Sequence, residues 1–236
     1  MEVTEIRLNK YLSEAGVCSR READRQIEEG HVLVNGKTAT KGQKVKKTDC
    51  VEYCGREVMG TPEAVLLLLN KPVGIVCTAE KREKHNVVDF MGYPVRLYPV
   101  GRLDKNSRGL LLMTNQGDLV NQIMRSRYYH EKEYIVRVDR PIDAAFIKRM
   151  AAGVFLPELD VTTRPCKVEI SKFTFRIILT QGLNRQIRRM CQACGYHVRD
   201  LQRIRIMNLT LDGIEEGQYR PIKPEEFAEL QEMLRG

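Results

Sequence analysis

The sequence predicts an α+β chain in two parts: a small domain of two helices and a hairpin over residues 1–53, and a larger domain of interleaved strands and helices over 64–236. Three observations carry this. Ser19-Arg20-Arg21-Glu22 followed by Asn35-Gly36 marks a capped helix and a hairpin turn within the first fifty residues. Residues 54–63 hold Gly55, Gly60 and Pro62 without a sustained hydrophobic period, and read as a linker. Beyond them, apolar runs of strand length alternate with helical patterns. A chain of 236 residues can bury a sizeable core, in one large domain or two smaller ones.

In the first part, apolar residues recur at helical spacing from Leu8 to Ala15, and Gly16 suits the position after a helix end. The Ser19 hydroxyl can accept from the amide three residues on while Glu22 reaches back, so a second helix is expected from Ser19 through Ala23 and Ile27 to Gly30. His31-Val32-Leu33-Val34 and Asn35-Gly36 then give the hairpin. Arg7, Lys10, Arg20, Arg21 and Arg25 cluster on the helix pair, and Lys41, Lys44, Lys46 and Lys47 follow the hairpin. Charges so placed can contact a phosphate backbone. Two solvated helix faces fit the same charges equally well.

The second part opens with Val65-Leu66-Leu67-Leu68-Leu69, a continuous apolar run that suggests a strand covered on both faces. Asn70-Lys71-Pro72-Val73-Gly74 breaks it, and Ile75-Val76-Cys77 resumes. After the extended segment Leu97-Tyr98-Pro99-Val100, Gly101-Arg102-Leu103-Asp104 places a guanidinium and a carboxylate two residues apart, ahead of the apolar run Leu110 to Thr114. Asp104 should therefore lie on a connection held by a core, where chemistry usually sits. Taken alone, the tetrapeptide fits an ordinary surface Asp as well. A turn at Asn115–Asp118 and a short helix over Leu119–Met124 follow. In Lys132 to Val138, alternation puts Tyr134, Val136 and Val138 on one strand face, so the Tyr134 ring either faces a cavity or packs in the core. A helix over Asp143–Ala152, strands over Phe173–Thr180 and Val198–Leu211, and a last amphipathic helix opened by Pro224 complete the reading.

Asn184 to Gly195 is the other informative stretch, with Asn184 as a plausible N-cap and Gly195 as the residue past the helix end. At about 100° per residue, Ile187, Met190, Cys191 and Cys194 form one apolar stripe. Arg188 falls at its border, while Arg185 and Arg189 point away. A partly buried arginine normally needs a carboxylate, and Asp104 is the candidate partner for a bidentate pair. Between 181 and 205 there are six arginines and one acid, which predicts an electropositive wall, and Tyr196 and His197 could add stacking rings.

The formal charge of +8, from 39 Lys plus Arg against 31 acids, favours a polyanionic partner. Met1 to Glu5 have neither a basic start nor an apolar leader core, and no apolar run approaches a bilayer span, so a soluble, unexported, cytoplasmic protein without membrane contact is expected. Seven scattered cysteines make a poor disulfide framework and fit a reducing compartment. Cys50, Cys54, Cys191 and Cys194 could in principle offer four ligands, but belong to no recognisable zinc motif, and no metal site is expected.

Arg7-Leu8-Asn9-Lys10-Tyr11-Leu12 through Ser19-Arg20-Arg21-Glu22-Ala23 to Val32-Leu33-Val34-Asn35-Gly36 resembles the S4 RNA-binding domain over residues 6–52. Gly101-Arg102-Leu103-Asp104, Lys132-Glu133-Tyr134 and Asn184-Arg185-Gln186-Ile187-Arg188-Arg189-Met190 follow in order. Together they resemble the bacterial ribosomal-RNA pseudouridine synthases that modify single uridines, and look closest to members acting on large-subunit RNA. The resemblance implies a catalytic domain on a bent, largely antiparallel mixed sheet flanked by helices, with the active site in a cleft along the sheet and no metal or organic cofactor. It implies Asp104 as the catalytic aspartate, Tyr134 against the target ring, Arg188 as the partner orienting Asp104, and Arg102 as the residue filling the space a flipped uridine leaves. Arg7, Lys10, Arg20, Arg21, Arg25, Arg185 and Arg189 are the further RNA-binding candidates. The expected partner is RNA, large-subunit ribosomal RNA before small-subunit RNA or tRNA, engaged by a monomer.

The residue chemistry fits that reaction. Breaking C1′–N1, rotating the uracil and rebonding through C5 requires a nucleotide out of its stack and a fixed carboxylate that attacks C1′ or removes a sugar proton. A non-catalytic RNA binder would need no carboxylate facing a guanidinium. A glycosidase-like hydrolase would need a second carboxylate at defined separation, and no adjacent motif offers one.

Overall fold

The computed structural model describes residues 5–80, 82–124 and 129–235; Met1 to Thr4, read above for a leader, lie outside them. The chain divides into two compact units, Met1–Ala64 with Pro94–Arg96 and Asn115–Gly117, and Val65–Tyr93 with Leu97–Thr114 and Asp118–Gly236.

The first unit runs β1 (Ile6–Arg7), α1 (Leu8–Glu14), α2 (Arg20–Glu28), β2 (Val32–Val34), β3 (Lys37–Thr38), β4 (Lys44–Val45), β5 (Val51–Tyr53) and β6 (Arg56–Glu57). Helix α2 starts where the capping residue puts it, with the Glu22 amide donating to Ser19 Oγ at 3.1 Å. The Glu22 carboxylate accepts instead from Arg25 and Gln26, at 2.6 and 3.1 Å. Asn35 and Gly36 both have positive φ, the geometry a two-residue hairpin between β2 and β3 requires. Leu8, Leu12, Ala23, Ile27, Val32, Val45 and Val51 close over one core, and each fully buried aliphatic side chain contributes roughly 1.5–3 kcal/mol. The expected linker begins later than residue 54. Cys54-Gly55 is a turn, and Arg56–Glu57 pair back on Glu52–Tyr53 as a strand too short to show a hydrophobic period.

The second unit contains β7 (Leu66–Lys71), α3 (Val87–Met91), β8 (Tyr98–Val100), β9 (Arg108–Thr114), α4 (Gly117–Met124), β10 (Lys132–Val138), α5 (Ala144–Ala152), β11 (Phe155–Leu156), β12 (Val161–Thr162), β13 (Lys167–Ser171), β14 (Thr174–Leu179), α6 (Gln186–Ala193), β15 (Val198–Ile206), β16 (Leu209–Thr210), β17 (Tyr219–Pro221) and α7 (Pro224–Arg235). The main sheet has the order β13-β14-β10-β15-β9-β7-β17, with β8 also on β9 and β16 on β15. Among the described residues every pairing in it is antiparallel except β9 with β15. Register shifts at Glu133/Tyr134 and Arg137/Val138 bend β10 against β15. The sheet is therefore mixed, largely antiparallel and flanked by helices.

Two cores lie along this sheet. Phe146 and Met150 of α5 and Met190 and Cys191 of α6 pack on Val136, Phe175 and Ile177. Ile123 of α4 and Leu230 of α7 pack on Leu66, Leu68, Leu110 and Leu112. Helix α5 is capped by Asp143, whose carboxylate accepts from the Phe146 amide at 2.7 Å. The break expected at Asn70 is not there. Asn70 and Lys71 continue β7 as buried residues because their donors find carbonyls, Asn70 Nδ2 donating to Ile214 O at 2.8 Å and Lys71 Nζ to Pro72 O and Ser107 O at 2.7 and 2.9 Å, while Asn70 Oδ1 stays buried without a partner among the described residues. Ile75–Cys77 does not resume as a strand; only an isolated bridge from Val76 to Asn86 forms. Tyr196, expected among stacking rings, is a core residue packed edge-on against Phe146, whereas His197 is exposed.

Candidate active site

Asp104 lies on the connection between β8 and β9, two antiparallel strands whose register sets where that loop emerges. The loop is pinned from below. Leu103 N contacts Cys77 Sγ at 3.3 Å, Ser107 N donates to Asp104 O at 3.0 Å, and the Lys71 ammonium holds Ser107 O. Asp104 is thus carried by a turn with little freedom, its side chain about one-third exposed.

Helix α6 delivers the arginines. Arg188, at the border of the apolar stripe, is 15% exposed, and its Nε lies 3.7 Å from Asp104 Oδ2. Its Nη2 donates to Asn106 O at 2.7 Å and Ser107 Oγ at 3.2 Å. The bidentate pair expected from the sequence is not formed. The guanidinium spends its donors on the loop that carries Asp104, leaving Nε buried, without a hydrogen bond, and facing the carboxylate. Burial, reinforced by the neighbouring Arg185 cation, pushes the Arg188 guanidinium below its usual range. It remains the local cation in any accessible solution.

Arg185 corrects a second expectation. It occupies the N-cap position of α6, in place of Asn184, with φ 51° and no capping bond from its side chain. That left-handed backbone turns Arg185 back, and its Nη1 reaches 3.6 Å from Asp104 Oδ2 instead of pointing away. Arg189 does leave the cleft: its Nε donates to Asn184 O at 3.0 Å, and its Nη1 pairs with Glu158 at 3.2 Å.

Tyr134 is half-buried and packs its inner side against the α5–α6 core. Together with Arg102, Leu103, Asp104, Ser107, Leu179, Arg185, Arg188 and Leu201 it lines a cleft of about 90 Å³, space for one small ring. Arg102 is exposed at its rim. One wall is a carboxylate with two guanidinium groups, and another is an aromatic ring with aliphatic neighbours. Such a site can hold a flat heterocycle against a fixed nucleophile or base. Among the described residues no group of three or more His, Cys, Asp or Glu is placed to hold a metal ion.

In the first unit, Arg7, Arg20 and Arg21 are exposed; Arg25 pairs with Glu22 at 2.6 Å and Lys10 with Glu14 at 3.6 Å. No described helix is long and apolar enough to cross a membrane.

Two buried polar residues of the strands that carry the cleft escaped the sequence reading. Cross-strand register places Lys71, Gly109, Arg203 and Tyr134 in one lateral row through β7, β9, β15 and β10. Lys71 is fully buried and Arg203 is 2% exposed. Neither stands in a recognisable motif, and only the pairing of distant strands brings them together.

Residues 65–193 match the RNA pseudouridylate synthase family model, and residues 6–51 match the S4 domain. The chain is 53% identical over 232 residues to the dual-specificity RNA pseudouridine synthase RluF of Escherichia coli (strain K12), an alignment covering 97% of this chain and 79% of that protein. It is 38% identical over 234 residues to the ribosomal large subunit pseudouridine synthase B of Bacillus subtilis (strain 168), with 95% of each chain covered. A crystal structure of a pseudouridylate synthase superposes with a TM-score of 0.70 at 28% identity, covering 95% of this chain and 99% of the other.

Proposed function

This chain belongs to the RNA pseudouridylate synthase family and is a pseudouridine synthase with an S4 domain, and from that premise we propose that it isomerises a specific uridine of large-subunit ribosomal RNA at the Asp104 cleft. The observation that carries the site is the Asp104 carboxylate, fixed by its turn and faced at 3.6 and 3.7 Å by two guanidinium groups it does not hydrogen-bond. A carboxylate oriented but not consumed by its partners is ready for an incoming atom. The large-subunit target is supported by the name of the relative from Bacillus subtilis. The dual specificity in the name of the relative from Escherichia coli makes a second RNA class, tRNA or small-subunit RNA, the alternative arm of the test.

In this reading the uridine leaves its stack, Arg102 at the rim fills the space it vacates, and the uracil stands against Tyr134 and Leu201. Asp104 attacks C1′ or removes a sugar proton, and the C1′–N1 bond breaks. The enclosed ring turns until C5 meets C1′. The C5 proton is then lost with assistance from the Tyr134 hydroxyl. Arg188 acts through Asp104 and its loop. The exposed Arg7, Arg20 and Arg21, with Lys10 and Arg25, supply phosphate contacts from the first unit; Arg185 and Arg189 supply them beside α6. We further propose an RNA-binding domain whose last strand is β6, joined by the remainder of the stretch 54–63 as linker to a catalytic domain at 64–236, and a monomer working in the cytoplasm.

The test is pseudouridine mapping on unmodified large-subunit ribosomal RNA incubated with the protein and with Asp104→Asn. We expect one or a few new sites that vanish in the variant, a loss of at least about 10³-fold in rate, as for removal of a catalytic carboxylate or nucleophile, with RNA affinity unchanged within about 3-fold. Modification by Asp104→Asn at the native rate would remove Asp104 from the chemistry. Sites in tRNA or small-subunit RNA alone would replace the substrate.

A further inference from the structure

The strands that carry the cleft hold more buried positive charge than Asp104 can answer. Arg203 is the cross-strand neighbour of Tyr134, and Lys132 stands two residues before Tyr134 on the same face of β10. The cross-strand neighbour of Lys132 on β14 is Leu179, which itself lines the cleft. Arg203 donates through Nε to Leu110 O at 2.7 Å, and its Nη2 is buried without a partner. Lys132 has one carbonyl contact, to His130 O at 3.4 Å. Neither is in an ion pair among the described residues. Lys71, the third cation, is held by Pro72 O and Ser107 O and serves the Asp104 loop. Unpaired cations in a protein interior are costly, and persist where a function uses them. Burial and the adjacent Arg203 pull Lys132 down to about 8, the mark of a cation short of a counter-charge.

We propose that Lys132 and Arg203 form a cationic floor that stabilises the negative charge of the uracil while it is detached from the sugar; this rests on the uridine isomerisation argued above. When C1′–N1 breaks, the bonding pair leaves with the uracil, and its charge spreads over the ring nitrogen and carbonyl oxygens. C1′ is meanwhile taken by the Asp104 carboxylate, or C2′ gives its proton to it. On rebonding, the ring pair forms C5–C1′ as the bond from C1′ to the Asp104 carboxylate breaks, or as C2′ takes its proton back from Asp104; the C5 proton is lost and N1 takes up a proton, so that product and substrate are isomers and Asp104 is regenerated. The charge exists only between the two bonds. Fixed cations beside the ring therefore favour the intermediate over bound uridine, and raise the rate without tightening RNA binding. Register puts Arg203 and Lys132 on the strand faces that carry Leu201 and Tyr134, whereas Arg185 and Arg188 face the carboxylate.

The test is single-turnover conversion of unmodified large-subunit ribosomal RNA by the full chain, with RNA affinity measured separately, for the native protein, Lys132→Met and Lys132→Arg. Lys132→Met keeps the volume and loses the charge; Lys132→Arg keeps the charge. We expect the first to lower the rate about 10–100-fold, somewhat less than loss of a direct donor to a developing anion, with affinity within about 2-fold, and the second to recover most of the rate. Lys132→Gln repeats the charge deletion should Lys132→Met fail to fold. A native rate in the charge-deleted protein overturns the proposal, and so does a loss confined to RNA affinity, which would make Lys132 a phosphate contact. Equal losses of rate in Lys132→Met and Lys132→Arg would make the effect one of shape and overturn the proposal as well. If the native protein converts no RNA of any class, the reading of the reaction fails first and this inference falls with it.

Discussion

Asp104 and Glu133 are both carboxylates flanked by two arginines in the same domain, and they stand in opposite conditions. Glu133 is 2% exposed; it accepts from Arg176 Nε on one oxygen and from Arg205 Nε at 2.6 Å on the other, while Arg205 also reaches Glu131 at 2.8 Å. Asp104 is 32% exposed, and its arginines stop at 3.6 and 3.7 Å. One carboxylate has its lone pairs consumed by charge-assisted hydrogen bonds. The other is surrounded by charge that orients it and leaves it open. Glu133 adjoins Tyr134 in sequence but projects from the opposite face of β10, so the two acids do different work from neighbouring places.

The comparison can be broken most sharply at the two carboxylates. Asp104→Asn is expected to abolish modification and leave the melting temperature within a few degrees. Glu133→Gln should do the reverse, costing about 3 kcal/mol in chemical denaturation, at the low end for a buried ion pair because Arg176 is half exposed, with the single-turnover rate preserved. If both variants lose activity and stability alike, the distinction between an open and a closed carboxylate fails.

The pH dependence sharpens it. Burial alone would raise the Glu133 carboxyl, but the hydrogen bonds from Arg176 and Arg205 outweigh it and hold the group below its ordinary value. A depressed acid contributes stability that is present above its unfolded pKa, about 4.3, and is lost as pH falls through the lower folded value. The gap in melting temperature between native protein and Glu133→Gln should therefore be full at about pH 6 and shrink toward about pH 3. A gap independent of pH would show that Glu133 contributes shape and not charge.

Smaller effects separate the arginines of the cleft. Arg188→Lys loses the fork that joins Asn106 O and Ser107 Oγ while facing Asp104, and is expected to lower the rate about 10²-fold, the scale of a misplaced catalytic group. Arg185→Lys, half exposed and without a hydrogen bond to Asp104, should cost less than about 10-fold. The exposed pair Arg20 and Arg21 should affect binding alone: changed together to Gln, they are expected to weaken RNA affinity about 10-fold and lower the salt slope by about 1.5. Equal losses of rate in all three variants would mean that the charge of the region matters more than its geometry.

What the sequence made legible and what it did not divide along the same line. Ser19 announces α2, and the 3.6-residue period puts Arg188 at the border of a buried stripe, because both signals are local. The direction of Arg185 is hidden, since nothing in Asn184-Arg185-Gln186 announces a left-handed backbone at a residue with a side chain. Asn70 and Lys71 look like a break because their polarity is visible in sequence, while the carbonyls that accept from them belong to Ile214 and Ser107. The row from Lys71 to Tyr134 and the closed triad of Glu133, Arg176 and Arg205 depend on strand pairings between distant segments, which no window of sequence contains. The strand at Arg56–Glu57 is invisible in sequence for a simpler reason: two residues carry no period.

Gly109 lies in the middle of that row with φ 104°, and a Cβ there would come within 2.2 Å of Arg203 O. It marks the joint where β9 meets β15 in parallel, over the two pairs Arg108–Gln202 and Gly109–Arg203. On one side of this seam is the hairpin that carries Asp104; on the other are the strands and helix that carry Tyr134 and Arg188. Neither half of the sheet holds an active site by itself. The site therefore exists only where two stretches far apart in the chain are docked edge to edge, so its geometry depends on the two-pair seam at Gly109.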